Sequence, residues 1–244
     1  MPKTEMDKTG KIIIKISIFF IILSVTAVIF SYIFNKWILN SEQASKAVAN
    51  KGVIVIDAGH GGRDGGAVAS DGTKESDLNL SLALMLGDML ESLGYNVVYT
   101  RTEDISLVAE NSTMTRKMQD MVKRIEIING KNTAVFVSLH MNKFTQDKYS
   151  GVQVFYSPNN DESRTLADSI QKNIKEFIQP DNNRKTKKAG SNIYLLDKAE
   201  CVGVLVECGF LSNPMECEKL KNEQYRKELA SVFCKSIVEF IEKV

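Results

Sequence analysis

The sequence is poor in several features that would assign a function directly, and each scarcity removes a class. Histidine occurs twice in 244 residues, so imidazole chemistry is confined to His60 and His140. Proline occurs four times and no biased repeat is present, which excludes a collagen-like or linker-dominated chain. Neither charge sign is in excess: 31 Lys and Arg against 30 Asp and Glu leave +1. With no global field to gather a polyanion, nucleic acid is not an expected partner. The four cysteines (Cys201, Cys208, Cys217 and Cys234) contain no C-x-x-C pair and have no neighbouring histidine, which excludes a zinc ribbon. Three disulfide pairings, or four buried free thiols, stay open. The phosphate-cradling patterns G-x-x-x-x-G-K-S/T and G-x-G-x-x-G are both missing.

What is present begins with one long apolar run. Nineteen residues from Ile16 to Phe34 carry no charge and are dominated by Ile, Phe, Leu and Val. As a helix they reach about 28 Å, close to the thickness of a hydrocarbon core. Lys3, Lys8, Lys11 and Lys15 precede the run and only Lys36 closely follows it. That bias holds residues 1–15 in the cytoplasm and sends the rest across the membrane. The nearest small-x-small sites, Ser45-Lys46-Ala47 and Ala47-Val48-Ala49, lie well past the run, which favours a retained anchor over a cleaved signal. Residues 35–51 are polar and Ala/Ser-rich and suit a tether.

Beyond the tether, apolar runs alternate with helical patterns. Val53–Ile56 is a continuous β-branched run, as expected of a strand buried on both faces. Leu78, Leu82, Met85, Leu86, Met89, Leu90 and Leu93 mark one face of a helix that Gly94 closes. Further strands are expected at Asn96–Thr100, Ala134–Ser138, Gly151–Tyr156, Ile193–Leu196 and Val202–Val206. Helices are expected at Lys117–Ile128, Thr165–Phe177, after the Asn213-Pro214-Met215-Glu216 start signal, and across Leu229–Ile241. This order implies an α/β domain over residues 52–244: a mostly parallel, twisted sheet of about six strands flanked by helices.

Ligands of open α/β sheets bind beyond the carboxyl ends of the strands. One strand leads into Asp57-Ala58-Gly59-His60, another into Ser138-Leu139-His140-Met141-Asn142, and Val202–Val206 into Glu207. Both histidines therefore fall on one edge. Gly59–Gly66 packs five of the 15 glycines into eight positions, which brings main chain close to a ligand. Glu75 sits at the start of the Leu78 helix. Two imidazoles and a carboxylate form a good catalytic zinc shell, and a second carboxylate nearby completes a hydrolase as general base. Spacing alone does not say which glutamate is ligand and which is base.

At these residues the sequence resembles the zinc-dependent N-acetylmuramoyl-L-alanine amidases of bacterial cell walls, the Amidase_3 type. The matching pieces are Ile56–Ala67, Lys74–Leu80, Thr100–Asp104, Ser138–Asn142 and Val206–Pro214, in the family's order. The resemblance implies His60, Glu75 and His140 as ligands of one catalytic Zn2+ and Glu207 as the catalytic carboxylate. It implies peptidoglycan as substrate, cleaved between N-acetylmuramic acid and L-alanine. The layout, together with Ser191–Leu196, is most like the germination-specific amidases of spore formers. A role in cortex maturation through muramic δ-lactam, at the forespore envelope, follows from that likeness, and an accessory or activator protein is a further partner to expect. An inactive peptidoglycan-binding scaffold and another zinc peptidase or amidase of the wall are the alternatives. Met141 stands where the family usually has a small residue, with no contact to a ligand expected. Arg124 also matches a family position, a surface ion pair being its bland role. The basic run Arg184, Lys185, Lys187 and Lys188 reads as a solvated loop or a groove wall for stem-peptide carboxylates. Cys208, beside Glu207, invites a cysteine-hydrolase reading that leaves Glu75 and one histidine without a task.

Overall fold

The computed structural model describes residues 8–49, 52–108 and 114–243. It divides into two units, Met1–Val48 and Ala49–Val244. The described residues of the first lie in a single helix, α1 (Lys8–Ala49), within which Lys15–Asn40 is long and apolar enough to cross a membrane. The expected tether is helical as far as Ala49, because residues 35–49 contain no Gly or Pro and are rich in helix-tolerant types. Residues 1–7 of the expected cytoplasmic stretch, and Asn50 and Lys51 of the tether, lie outside the described residues.

The second unit alternates strands and helices: β1 (Val53–Ala58), α2 (Glu75–Ser92), β2 (Asn96–Tyr99), α3 (Arg116–Ile128), β3 (Thr133–Asn142), β4 (Gln153–Tyr156), α4 (Glu162–Phe177), β5 (Lys187–Lys188), α5 (Tyr194–Lys198), β6 (Val202–Phe210), α6 (Pro214–Lys221) and α7 (Glu223–Ile241). The six strands lie in the order β2-β1-β3-β6-β4-β5. The ladders joining β2, β1, β3 and β6 are parallel, while β4 runs antiparallel to β6 and parallel to β5. Strand period decides which side chains go where. Val55, Phe136 and Leu205 face the layer of α3 and α5, sharing a core with Ile128, Leu195 and Leu196. Alternate residues such as Ile54, Ile56, Val135, Val137, Val204 and Val206 are as fully buried. On that side α2 and α4 pack against the sheet and α7 against both helices. Truncating Phe136, which is 0% exposed, to Ala costs about 3–5 kcal/mol.

Two strand expectations change. Ile193–Leu196 is not a strand: α5 begins at Tyr194. In a strand Leu195 and Leu196 would face opposite ways, yet both pack into one core with Ile193 and Tyr194, which only a helical turn permits. The sixth strand is instead the two-residue β5, within the basic run and too short to have a period. β3 and β6 also run well past their apolar stretches, so His140 and Glu207 lie inside the sheet rather than beyond it. The four thiols are free, three of them buried.

Asn213 caps α6 as its spacing predicts, accepting from Met215 and Glu216 N–H groups at 3.0 and 3.2 Å with Pro214 at the first position. Glu216 does not reach back to the cap. Its Oε2 accepts instead from Gly151 N–H and Phe210 N–H, tying the end of β6 to the loop before β4.

Candidate active site

The chain leaves β1 toward β2 on one side and returns to β3 on the other, so the strand order reverses at β1. A reversal of this kind opens a crevice at the carboxyl ends of the neighbouring strands. His60 follows β1 by two residues, His140 lies on β3 and Glu75 opens α2. One donor atom from each falls within 4.8 Å of the others. Glu75 Oε1 lies 3.3 Å from His60 Nε2 and 2.9 Å from His140 Nδ1, with the imidazole centroids 5.0 Å apart. Glu207 is opposite His140 in the β3–β6 ladder and lines, with both histidines, a cleft of about 580 Å³. Residues up to 147 positions apart, by the numbers 60 and 207, thus converge.

Local sequence builds each position. Glu75 is 3% exposed at the helix N-terminus, where the dipole favours an anion. Its Oε2 accepts from Ala67 N–H at 2.7 Å and its Oε1 from Met141 N–H at 3.1 Å. Met141 is therefore tied to the site after all, through its main chain, while its side chain is buried. Asn79, one turn along α2, donates to Gly59 O at 3.2 Å. Two glycines are required by close approach. A Cβ on Gly59 would overlap the His140 ring, and one on Gly66, which has φ 67°, would sit 2.6 Å from Glu75 Oε2 and 2.7 Å from His60 Cδ2.

Sequence reasoning missed Asp64, whose Oδ2 lies 3.0 Å from His60 Nδ1 while Oδ1 accepts from Gly66 N–H. A carboxylate on Nδ1 fixes the tautomer and leaves Nε2 facing Glu75. The available signal was an acid four residues after His60 in the same loop. Arg124 is also not at the surface: it is 0% exposed and pairs with Asp57 at 2.5 Å and Asp120 at 2.7 Å. Asp57, at the end of a fully buried β-branched run, was the sign that a buried cation is needed. Thr100 and Ser138 hydroxyls complete its shell at 2.7 and 2.6 Å.

The electrostatics follow from burial and pairing. Burial opposes charge on Asp57, but Arg124 and the two hydroxyls outweigh it and hold the carboxyl below its usual range. Burial likewise disfavours the Glu75 anion, and the two imidazoles overcome it and push the pKa far down. Burial works against the His60 cation, yet Glu75 and Asp64 raise it to about 9. Glu207 goes the other way: burial, joined by the Glu75 charge and opposed by the imidazoles, lifts its carboxyl above the ordinary value. Its Oε2 is sealed from solvent and accepts no hydrogen bond among the described residues. Such an orphaned oxygen beside two imidazoles and a charged carboxylate suits a site that takes up a cation and a polar reactant. Cys208 is 0% exposed, and burial with the Glu207 charge drives its thiol well above its usual value, so it is not a nucleophile at neutral pH. The basic run supplies β5 at the sheet edge, with Lys187 and Lys188 exposed, while Arg184 stacks over Phe210 at 4.7 Å.

Comparison with known proteins identifies the family. The family model for N-acetylmuramoyl-L-alanine amidase (Amidase_3) matches residues 54–239, nearly the whole second unit. The germination-specific N-acetylmuramoyl-L-alanine amidase of Bacillus subtilis is 34% identical over 190 residues, 77% of this chain and 79% of that protein. Among solved structures, the CwlD amidase of Clostridioides difficile in complex with the GerS lipoprotein is 38% identical with a TM-score of 0.75, covering 79% of this chain and 100% of that one. The amidase AmiC2 of Nostoc punctiforme is 28% identical with a TM-score of 0.67, covering 80% and 99%. Fold, motif order and coverage converge, and the chain belongs to the N-acetylmuramoyl-L-alanine amidase family, with the activity of a peptidoglycan amidase.

Proposed function

We propose that His60, Glu75 and His140 hold one zinc ion and that Glu207 is the general base for hydrolysis of the amide joining N-acetylmuramic acid to L-alanine. The observation that carries this reading is the set of three donor atoms within 4.8 Å, two of whose residues, His60 and His140, line one cleft with Glu207. Two nitrogens and one carboxylate oxygen are the donor set of a catalytic zinc shell. When bound, zinc supplies a Lewis acid at the scissile carbonyl. Asp64 holds the His60 ring so that Nε2 faces the other donors. Glu207 takes a proton from the attacking water and passes it to the alanine nitrogen as the C–N bond breaks. The products are a lactyl carboxylate and a peptide with a free alanine amine. Met121, Phe155 and Tyr194 supply an apolar wall of the cleft that limits water around the reacting groups.

The second unit works outside the cytoplasm, carried there by the span in α1 and retained on the membrane by it. Similarity to a germination-specific amidase supports cortex peptidoglycan of the spore as substrate, with muramic δ-lactam formation following the cleavage. A relative solved with a lipoprotein supports an accessory protein as partner. The test is mass spectrometry of muropeptides after digestion of purified peptidoglycan. Free N-terminal alanine and peptide-free glycan are expected, abolished by a chelator and restored by zinc. Unchanged muropeptides, or cleavage elsewhere in the stem, would overturn the reading.

A further inference from the structure

His60 is a non-glycine residue in the left-handed region, with φ 61°. That conformation is costly for a side-chain-bearing residue and persists only where surrounding contacts over-determine it. Here the contacts are two guanidinium groups beneath the loop. Arg124 donates from Nη2 to His60 O at 2.6 Å, and from Nη1 to Ala58 O at 2.8 Å and Asp57 Oδ1 at 2.5 Å. Arg101, 3% exposed, donates from Nε to Ala58 O at 2.9 Å and from Nη2 to Gly59 O at 3.1 Å. The same Nη2 reaches Ser76 O at 2.8 Å, in the first turn of α2 beside Glu75. Three consecutive carbonyls leading into His60 are thus pinned, and one of the two arginines also grips the helix start that carries Glu75.

Neutralising Asp57 accounts for a cation at this depth, but not for this arrangement. A single ammonium would balance the carboxylate. Only a planar fork with several donors can serve the carboxylate and the Ala58 and His60 carbonyls together. We propose that Arg124 and Arg101 are positioning residues for metal capture, fixing the main chain of residues 58–60 so that His60 is already turned toward Glu75 and His140. This rests on the metal-binding role proposed above for those three residues. Neither arginine is one of the three proposed donors, His60, Glu75 and His140. Their effect is to spare the loop from being ordered at the moment of binding.

The test measures zinc affinity of the full chain in detergent micelles, by competition with a chromophoric chelator, alongside urea unfolding. Arg124→Lys and Arg101→Lys keep the charge and remove the fork. Phe233→Leu, in the fully buried core of α7, serves as a variant that loses stability away from the loop. Both arginine variants are expected to bind zinc about ten- to a hundredfold more weakly, the range for outer contacts of a metal site. Phe233→Leu is expected to bind as the wild type does. If Arg124→Lys does not fold, the Arg101→Lys comparison decides. Folded arginine variants with wild-type affinity, or an equal loss in Phe233→Leu, would overturn the positioning role and leave the metal reading standing. A wild-type chain that takes up no zinc would overturn both.

Discussion

The two histidines of the site are held in opposite ways. His140 sits within a ten-residue strand, flanked by β1 and β6, and the ladder itself fixes its direction. His60 sits in a glycine-rich loop with strained main chain, held by side-chain donors from α3 and from the segment after β2. The first is rigid because its backbone hydrogen bonds are part of the sheet. The second is rigid only while the buried network of Asp57, Arg124 and Arg101, and the exposed Asp64 beside the ring, stay intact. A site that needs three elements to meet can take one donor from the scaffold, but the others must be brought to it.

Substitutions at the two ends of this comparison should differ in kind. Glu207→Gln, on the strand side, is expected to lower the rate by about 10²–10⁴-fold, the usual worth of a general base, with metal content unchanged. Rate assays on muropeptides with parallel metal analysis check this, and a variant with near wild-type rate would remove Glu207 from the mechanism. On the loop side, Asp57→Asn leaves Arg124 without its main partner and should cost about 3–5 kcal/mol in urea unfolding. Its pH dependence has a definite sign. Because the folded carboxyl is held below its ordinary value of 3.8, its contribution is fully present above that value and is lost as pH falls through the lower folded one. The wild type should therefore lose stability on acidification below about pH 4, and Asp57→Asn should lose less over that interval. Equal slopes would mean that the pair does not govern acid stability.

Smaller effects sharpen the comparison. Asp64→Asn should weaken zinc binding about ten- to a hundredfold through the His60 tautomer, read by chelator competition. A rate insensitive to iodoacetamide is expected, since Cys208 is buried and its thiol pushed well up, whereas chelators should stop the reaction. Inactivation by iodoacetamide without metal loss would reopen thiol chemistry.

The asymmetry also explains what could be read from sequence. β1, β3 and β6 are long β-branched or apolar runs, and such runs specify buried parallel strands with little help from context. The edge carrying His60, His140 and Glu207 followed from them. Ile193–Leu196 misled because four apolar residues fit a buried helical turn as well as a strand, and only the shared core decides. β5 was unreadable because two lysines at an edge are positioned by their neighbour β4 and not by their own pattern. Arg124, near the end of an amphipathic helix, reads as half of a surface ion pair, and its burial follows from a tertiary partner 67 positions away. Loop-borne parts of a site are specified by distant partners, so local pattern is silent about them.

The most direct test of the central claim is the zinc content per chain of the wild type, Glu207→Gln and His140→Ala, measured by elemental mass spectrometry on folded protein. The account predicts one equivalent in the first two and little in the third, with only the wild type releasing alanine-terminated peptides. A full equivalent of zinc in His140→Ala would contradict it.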